Sequence, residues 1–173
     1  MNAEVLNALK SRRSVRSSED TPVPAELLSE LLGAATYAPT GGGRQAVTMI
    51  AVTNKEDRDE VSRLNAKVMG NDTDPYYGAP CIVLVLANEE SGTAVEDGSI
   101  VLTYLMLAAD ACGLSSVWVH REKEIFAGEE GKALLARWGI EGNYVGVGAI
   151  ALGYAKGEKP AAAPRKEGYV HIV

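Results

Sequence analysis

The sequence has few of the residues that build metal sites or disulfide frameworks. Its 173 residues include only two cysteines and two histidines. Cys81 and Cys112 lie far apart in apolar stretches, so we expect buried thiols rather than a disulfide framework. His120 and His171 have no spacing to cysteines or carboxylates that would build a metal site, and the sequence therefore predicts no bound metal.

An excess of positive charge is also missing, because 17 lysines and arginines face 23 aspartates and glutamates, for a net charge of −6. An acidic chain of this kind is not expected to bind nucleic acid. The longest apolar run, 100–109, is too short to cross a bilayer, and residues 1–20 lack the apolar centre of a signal peptide. We therefore expect a cytoplasmic protein with no membrane partner.

Sequence motifs of several enzyme classes are missing as well. There is no Walker A sequence, no GxGxxG after a strand, no GxSxG elbow and no HExxH. Hydrophobic residues make up 46% of the chain and charged residues 23%, as in ordinary soluble globular proteins. The length fits a single domain over residues 1–173.

Apolar periodicity predicts helices interleaved with strands, and hence an α+β fold with one sheet sandwiched by helices. Helices are predicted after an Asn2 N-cap, over 24–37, after an Asn54 N-cap with Val61, Leu64 and Val68 buried, over 95–112 and over 129–138. Strands are predicted over 47–53, 81–87, 116–120 and 144–152. Residues 153–168 have no predicted element, and the alternating tail 169–173 is expected to pair with a sheet edge, of this or another subunit.

Three arginines and two serines lie within residues 11–16, directly after the first predicted helix. The apolar stripe of that helix, which includes Leu6 and Leu9, continues onto Arg12 and Arg13. A guanidinium on a face expected to point into the core needs an anion nearby, since a buried unpaired charge is very costly. The planar fork of arginine suits phosphate oxygens. Alternatively, the arginines only complement the dipole at the helix C-terminus.

Two further segments carry chemistry suited to a ligand. Residues 38–45 form a helix-to-strand loop with three consecutive glycines, whose exposed amides can approach a flat or anionic ligand closely. Arg165 and Lys166 place positive charge in the long late loop. His120 is the last residue of a predicted strand, and Arg121 follows it. His120 is a candidate functional residue, and the alternative is a surface or hydrogen-bonded structural role.

In their order along the chain, these motifs resemble the FMN-dependent nitroreductase family, and in particular its short members. The motifs are Arg12-Arg13-Ser14-Val15-Arg16, the loop 38–45, Gly78-Ala79-Pro80 before an apolar strand, 107–109 with 113–119, and Leu152-Gly153-Tyr154 with Pro164-Arg165-Lys166. The resemblance covers nearly the whole chain. It implies an αβα sandwich with a mixed, mainly antiparallel sheet, and a homodimer that exchanges its C-terminal segments and binds flavin at the interface.

The resemblance also implies roles for individual residues. Those implied at the FMN phosphate and ribityl chain are Arg12, Arg13, Ser14 and Arg165. Those implied at the flavin ring are Arg16 and Asn65 at the pyrimidine edge, and Pro39, Thr40, Gly41 and Gln45, the last bonding from the following strand. The backbone of His120 and Arg121 is implied beside N5, the atom that accepts and delivers hydride. Gly43, Ala46 and Val47 depart from the family pattern, and their small size indicates a different or more open ring environment.

The activity that the resemblance implies is hydride transfer from NADH or NADPH, via FMN, to an electrophilic small molecule such as a nitroaromatic compound or quinone, in a ping-pong mechanism. Because the flavin carries the reaction, the protein needs no acid–base residue of its own. Three alternatives remain open. They are a specialised flavin-dependent dehalogenase, a non-catalytic flavin- or nucleotide-binding sensor or carrier, and a structural domain with surface arginines.

Overall fold

The computed structural model describes residues 3–173, so the expected Asn2 N-cap lies outside the described residues. The helices in that range are α1 (Ala3–Ser11), α2 (Ala25–Ala35), α3 (Lys55–Met69), α4 (Ala94–Ala111), α5 (Glu122–Ala127) and α6 (Glu129–Arg137). The strands are β1 (Val47–Val52), β2 (Cys81–Asn88), β3 (Ser115–Val119) and β4 (Tyr144–Gly153). A 3₁₀ turn over Gly41–Gly43 precedes β1.

The four strands form one sheet in the order β1-β2-β4-β3, with antiparallel pairing throughout. The first seven residues of β2 are buried, as the unbroken apolar run predicts for a central strand covered on both faces. Ser14 adds a single parallel bridge to Ser116 at the outer edge of β3. The four-stranded sheet is therefore antiparallel, and the parallel pairing that the resemblance implies is limited to this one isolated bridge.

Helices cover both faces of the sheet. On one face, α2 and α4 pack against alternate residues of β2, including Val83 and Val85. On the other face, α3, α5 and α6 pack against the residues between them, including Leu84 and Leu86. The period-two alternation of a strand thus divides the core into two layers, which confirms the αβα sandwich.

Four details differ from the sequence prediction. Leu9 is 54% exposed and α1 buries none of its described residues, so its apolar stripe does not join the core of this chain. Val68 is 40% exposed. The buried face of α3 includes Asn65 and ends at the half-buried Met69, and Val68 lies at the edge of that face. Cys112 is half-buried rather than buried. Helix α5 was not predicted, since six residues are too few to show a helical period.

After β4, residues 156–173 are exposed and form no helix or strand. The start of this stretch is held near the arginine–serine segment, because Lys156 N donates to Ser17 O at 3.1 Å and Ser18 bridges Ala155. None of the helices within residues 3–173 has the length and apolar character needed to cross a membrane.

Candidate functional site

The arginine–serine segment, residues 11–16, begins at the end of α1 and then runs along the edge of β3. Val15 N donates to Ser116 O at 3.2 Å, which fixes the segment to the sheet. Arg12 is half-buried, and its Nη1 atom is buried with no hydrogen-bond partner among residues 3–173. A buried guanidinium nitrogen without an acceptor is costly, so Arg12 fits an anionic ligand such as a phosphate.

The neighbouring candidates have different surroundings. Arg13 Nη1 donates to Lys10 O at 2.6 Å and to Arg12 O at 2.8 Å, so Arg13 caps carbonyls at the end of α1. This is the helix-terminus role that the sequence left open as the alternative. Ser14 is half-buried at the bridge to β3, and Arg16 is exposed.

The glycine-rich loop, residues 38–45, is anchored by the first turn of α4. Gly41 N donates to Asp97 Oδ1 at 2.8 Å, and Thr93 Oγ1 donates to Asp97 Oδ2 at 3.0 Å. Asp97 is only 2% exposed. A Cβ atom on Gly41 would lie 2.3 Å from Thr93 Oγ1, so this close approach requires glycine.

The glycine-rich loop also brings two of the predicted residues together. Gln45 N donates to Thr40 Oγ1 at 3.0 Å, and Gln45 has a positive φ of 52°. Gln45 precedes β1 by two residues, so it belongs to the loop rather than to the strand. Pro39 and Gln45 are exposed while Thr40 and Gly41 are half-buried, and the loop therefore presents backbone groups at the surface.

A buried polar network joins α3 to the end of β3. Asn65 is completely buried, and its Nδ2 donates to His120 O at 2.9 Å and to Tyr76 Oη at 3.0 Å. Its Oδ1 accepts from Arg121 Nε at 2.7 Å. The structure thus brings Asn65 together with His120 and Arg121, and both polar ends of the Asn65 amide are engaged within the protein.

Glu122 completes this network and was not among the predicted site residues. Its Oε1 accepts from Tyr76 Oη at 2.8 Å, whereas its Oε2 is buried with no hydrogen-bond partner in the described chain. Burial raises the pKa of Glu122 from 4.5 to about 7. Burial, together with the charge of Glu122, raises the pKa of Tyr76 well above its usual value. Glu122 lies within the charged run 121–124, and such runs are ordinarily exposed, so the sequence carries no signal for its burial.

Arg165 lies on the exposed C-terminal segment. Its Nε and Nη2 donate to Ala163 O at 3.2 and 2.6 Å. Both bonds are made to a residue of the same exposed stretch, two positions before Arg165.

Comparisons with known proteins agree on one family. The model of the nitroreductase family matches residues 9–154. A relative from Archaeoglobus fulgidus, described as an NADH dehydrogenase/NAD(P)H nitroreductase, is 30% identical over 160 residues, which are 90% of this chain and 88% of the relative. A relative of the same description from Methanothermobacter thermautotrophicus is 32% identical over 66% of this chain, and the match spans only 60% of that relative.

A solved structure agrees with these relatives. The crystal structure of a nitroreductase with bound FMN from Bacteroides fragilis is 29% identical and superposes with a TM-score of 0.90. The superposition covers 98% of both chains. The similarity therefore includes the arginine–serine segment, the glycine-rich loop and the end of β3.

Proposed function

The chain belongs to the nitroreductase family, and we propose that it binds FMN and transfers hydride from NADH or NADPH to an electrophilic small molecule. Nitroaromatic compounds and quinones are the acceptor classes we expect. FMN, when bound, supplies the two-electron chemistry through its N5 atom. We propose a ping-pong order, in which the oxidised nucleotide leaves before the acceptor binds.

The observation that carries this proposal is the buried Nη1 atom of Arg12, which has no partner among the described residues. A phosphate group offers several charged acceptor oxygens, and a guanidinium binds such oxygens with short, strong hydrogen bonds. Ser14, which is half-buried and lies two residues after Arg12, offers a hydroxyl donor for the same phosphate. The FMN-bound neighbour from Bacteroides fragilis supports the same ligand.

The chain's own residues have distinct proposed tasks around the ring. The backbone of the glycine-rich loop, at Pro39, Thr40 and Gly41, lines the ring, and the buried Asp97 carboxylate holds that loop in place. Gln45 adds a hydrogen bond from the same loop. Arg16, which is exposed, lies at the pyrimidine edge, where a positive charge favours the reduced flavin.

We also propose a homodimer in which the C-terminal segment, residues 154–173, reaches the other subunit. Ile172 is 95% exposed on this segment, and the apolar stripe of α1 is exposed too. Within the described chain, β1 pairs only with β2, so its outer edge can accept a strand from a partner. In this arrangement Arg165 of one subunit completes the phosphate site that Arg12 of the other begins.

The absorption spectrum of the purified protein, followed by titrations with FMN and FAD, tests the cofactor. We expect tighter binding of FMN than of FAD, because the anion site is single and no dinucleotide motif is present. Tighter binding of FAD, or no flavin binding at all, contradicts the proposal.

Anaerobic addition of NADH or NADPH tests the reaction. We expect loss of the visible absorption band of oxidised flavin, and its return when a nitroaromatic compound or quinone is added. Bound flavin that neither nucleotide reduces indicates a sensor or carrier. Turnover confined to halogenated aromatic compounds indicates a dehalogenase.

A further inference from the structure

Arg121, between β3 and α5, adopts an unfavourable backbone conformation. Its φ is 92° and its ψ is 4°, in the left-handed region that residues with a Cβ atom rarely occupy. Residues persist in such conformations where the surrounding structure holds them, and they concentrate at functional sites. The residues that hold Arg121 in this conformation are therefore candidates for a functional role.

One side chain contacts the backbone before Arg121 and the side chain of Arg121 itself. Asn65 Nδ2 donates to His120 O at 2.9 Å, while Asn65 Oδ1 accepts from Arg121 Nε at 2.7 Å. The buried Asn65 amide thus holds two successive residues in place. We call Asn65, together with Tyr76 and Glu122, to which it is hydrogen-bonded, the clamp.

Two more buried residues fix the orientation of this amide. Tyr76 Oη accepts from Asn65 Nδ2 and donates to Glu122 Oε1, at 3.0 and 2.8 Å. Asn65 Nδ2 also lies 3.3 Å from Glu122 Oε1. Because acceptors surround Nδ2 on this side, a flipped amide would place Oδ1 against them and lose these bonds.

Strand β4 packs against the residues that follow Arg121. A Cβ atom on Gly146 would lie 2.2 Å from Glu122 O and 2.8 Å from Lys123 N, so the backbone after Arg121 packs directly on the sheet. The Asn65 amide thus holds residues 120 and 121, and Gly146 of β4 lies against the peptide that joins residues 122 and 123.

We propose that Asn65, Tyr76 and Glu122 are positioning residues, which hold the His120–Arg121 backbone beside the flavin and thereby set the midpoint potential of bound FMN. The inference rests on the proposed function, which places this backbone next to N5. The three residues act through the peptide and not on the flavin itself. A network this deeply buried, in which Glu122 Oε2 has no hydrogen-bond partner among residues 3–173, is costly to maintain, and a positioning role accounts for its presence.

The test compares Asn65→Ala and Tyr76→Phe with Ser62→Ala in the full-length protein. Ser62 is a matched control, because it is also buried on α3 and its hydroxyl bonds to Asp74 rather than to the clamp. The first measurement, amide hydrogen exchange by mass spectrometry, does not require FMN. We expect exchange over residues 119–124 to accelerate about tenfold in both clamp variants and to stay at the wild-type rate in Ser62→Ala.

The second measurement is the midpoint potential of the FMN-loaded proteins. We expect the clamp variants to change the ratio of affinities for reduced and oxidised FMN about tenfold, which is roughly 30 mV for a two-electron couple, with no change in Ser62→Ala. If Asn65→Ala does not fold, the hydrogen exchange and the midpoint potential of Tyr76→Phe alone test the proposal.

Faster exchange together with a displaced potential supports the proposal. Unchanged exchange over 119–124 overturns the clamp, and faster exchange with an unchanged potential overturns its role in positioning toward the flavin. If the wild-type protein binds no FMN, the proposed function fails and the role toward the flavin fails with it, while the exchange data still report on the clamp.

Discussion

The backbone N–H of Gly41 donates to Oδ1 of Asp97 at 2.8 Å and so ties the glycine-rich loop to the first turn of α4. The two residues lie 56 positions apart in the sequence. Asp97 is buried, and its second oxygen accepts from Thr93. The Asp97 carboxylate therefore anchors the loop that connects α2 to β1.

We expect Asp97→Ala to lower the free energy of unfolding by about 1–3 kcal/mol, because the Gly41 amide and the Thr93 hydroxyl lose their acceptor. FMN affinity is expected to fall as well, since the loop loses its anchor. Chemical denaturation and a flavin titration measure the two effects. Thr103→Ala is the control on the same helix, as its exposed hydroxyl bonds only to Ser99 O. Equal stability of the two variants would show that the anchor contributes nothing.

Arg12→Ala is expected to weaken FMN binding on the order of ten- to a hundredfold, as hydrogen bonds to charged groups contribute roughly 1.5–3 kcal/mol each. The flavin-free variant should be at least as stable as the wild-type protein, because the change removes a buried nitrogen that has no partner in the described chain. Fluorescence titration and thermal unfolding measure these quantities. Arg63→Ala, which removes an exposed arginine paired with Glu130, is the control. Unchanged FMN affinity in Arg12→Ala contradicts the phosphate assignment.

The regular elements were largely predictable because their cause is local. The apolar run from Cys81 indicates a strand over 81–87, and the structure has β2 at Cys81–Asn88. Asn54 was predicted as an N-cap, and its Oδ1 accepts from the N–H groups of Glu56 and Asp57. Such signals depend on neighbours within four residues, which a single sequence displays.

The candidate site was predictable only where a motif marks it. The arginines of residues 11–16 stand out in an acidic chain, and Arg12 has a buried nitrogen without a hydrogen-bond partner in the part of the chain that the structure describes. Asp97 and Glu122 could not be recognised, because each is an acidic residue in a helical segment whose burial depends on contacts distant in the chain. Their roles arise from packing rather than from spacing.

The buried Glu122 carboxyl predicts a particular pH dependence of stability. Its pKa in the folded protein is about 7, above the ordinary value of 4.5, so the folded state favours the protonated form. The resulting stabilisation is complete below pH 4.5 and is lost as the pH rises through 7. The pKa difference corresponds to roughly 3 kcal/mol.

We therefore expect the stability of the wild-type protein, relative to Glu122→Gln, to decrease as the pH rises from 4.5 to about 7, the range set by these two pKa values. Urea denaturation at several pH values measures the difference, and taking the difference cancels the contribution of groups that both proteins share. Parallel stability curves for the two proteins would show that Glu122 does not titrate in this range.

Deletion of residues 154–173 is expected to weaken the proposed dimer and to lower its FMN content, because the deletion removes both the exposed C-terminal segment and Arg165. Sedimentation and flavin absorbance measure the two losses. Full-length Arg165→Ala separates them, since it should lose FMN affinity while keeping the dimer. A truncated protein that remains dimeric and retains its full FMN content is incompatible with the exchanged segment.

Arg16 is predicted to raise the midpoint potential of bound FMN. Its side chain is exposed, and no hydrogen bond or ion pair among residues 3–173 engages its guanidinium, so its charge is available to a ligand. A positive charge at the pyrimidine edge favours the reduced flavin, which carries more negative charge there. Arg16→Ala should therefore lower the potential, by roughly 30 mV for each 1.4 kcal/mol of lost interaction.

Arg16→Lys separates charge from geometry, because lysine keeps the positive charge but lacks the planar fork of donors. We expect its potential to lie between those of the wild-type protein and Arg16→Ala, and reduction by NADH or NADPH to slow in the same order. Arg63→Ala removes an equal charge from the surface of α3 and should leave the potential unchanged. Spectroelectrochemical titration of the four proteins compares them directly. If Arg16 only extends into solvent after α1, all four potentials will coincide, and the assignment of Arg16 to the flavin is then wrong.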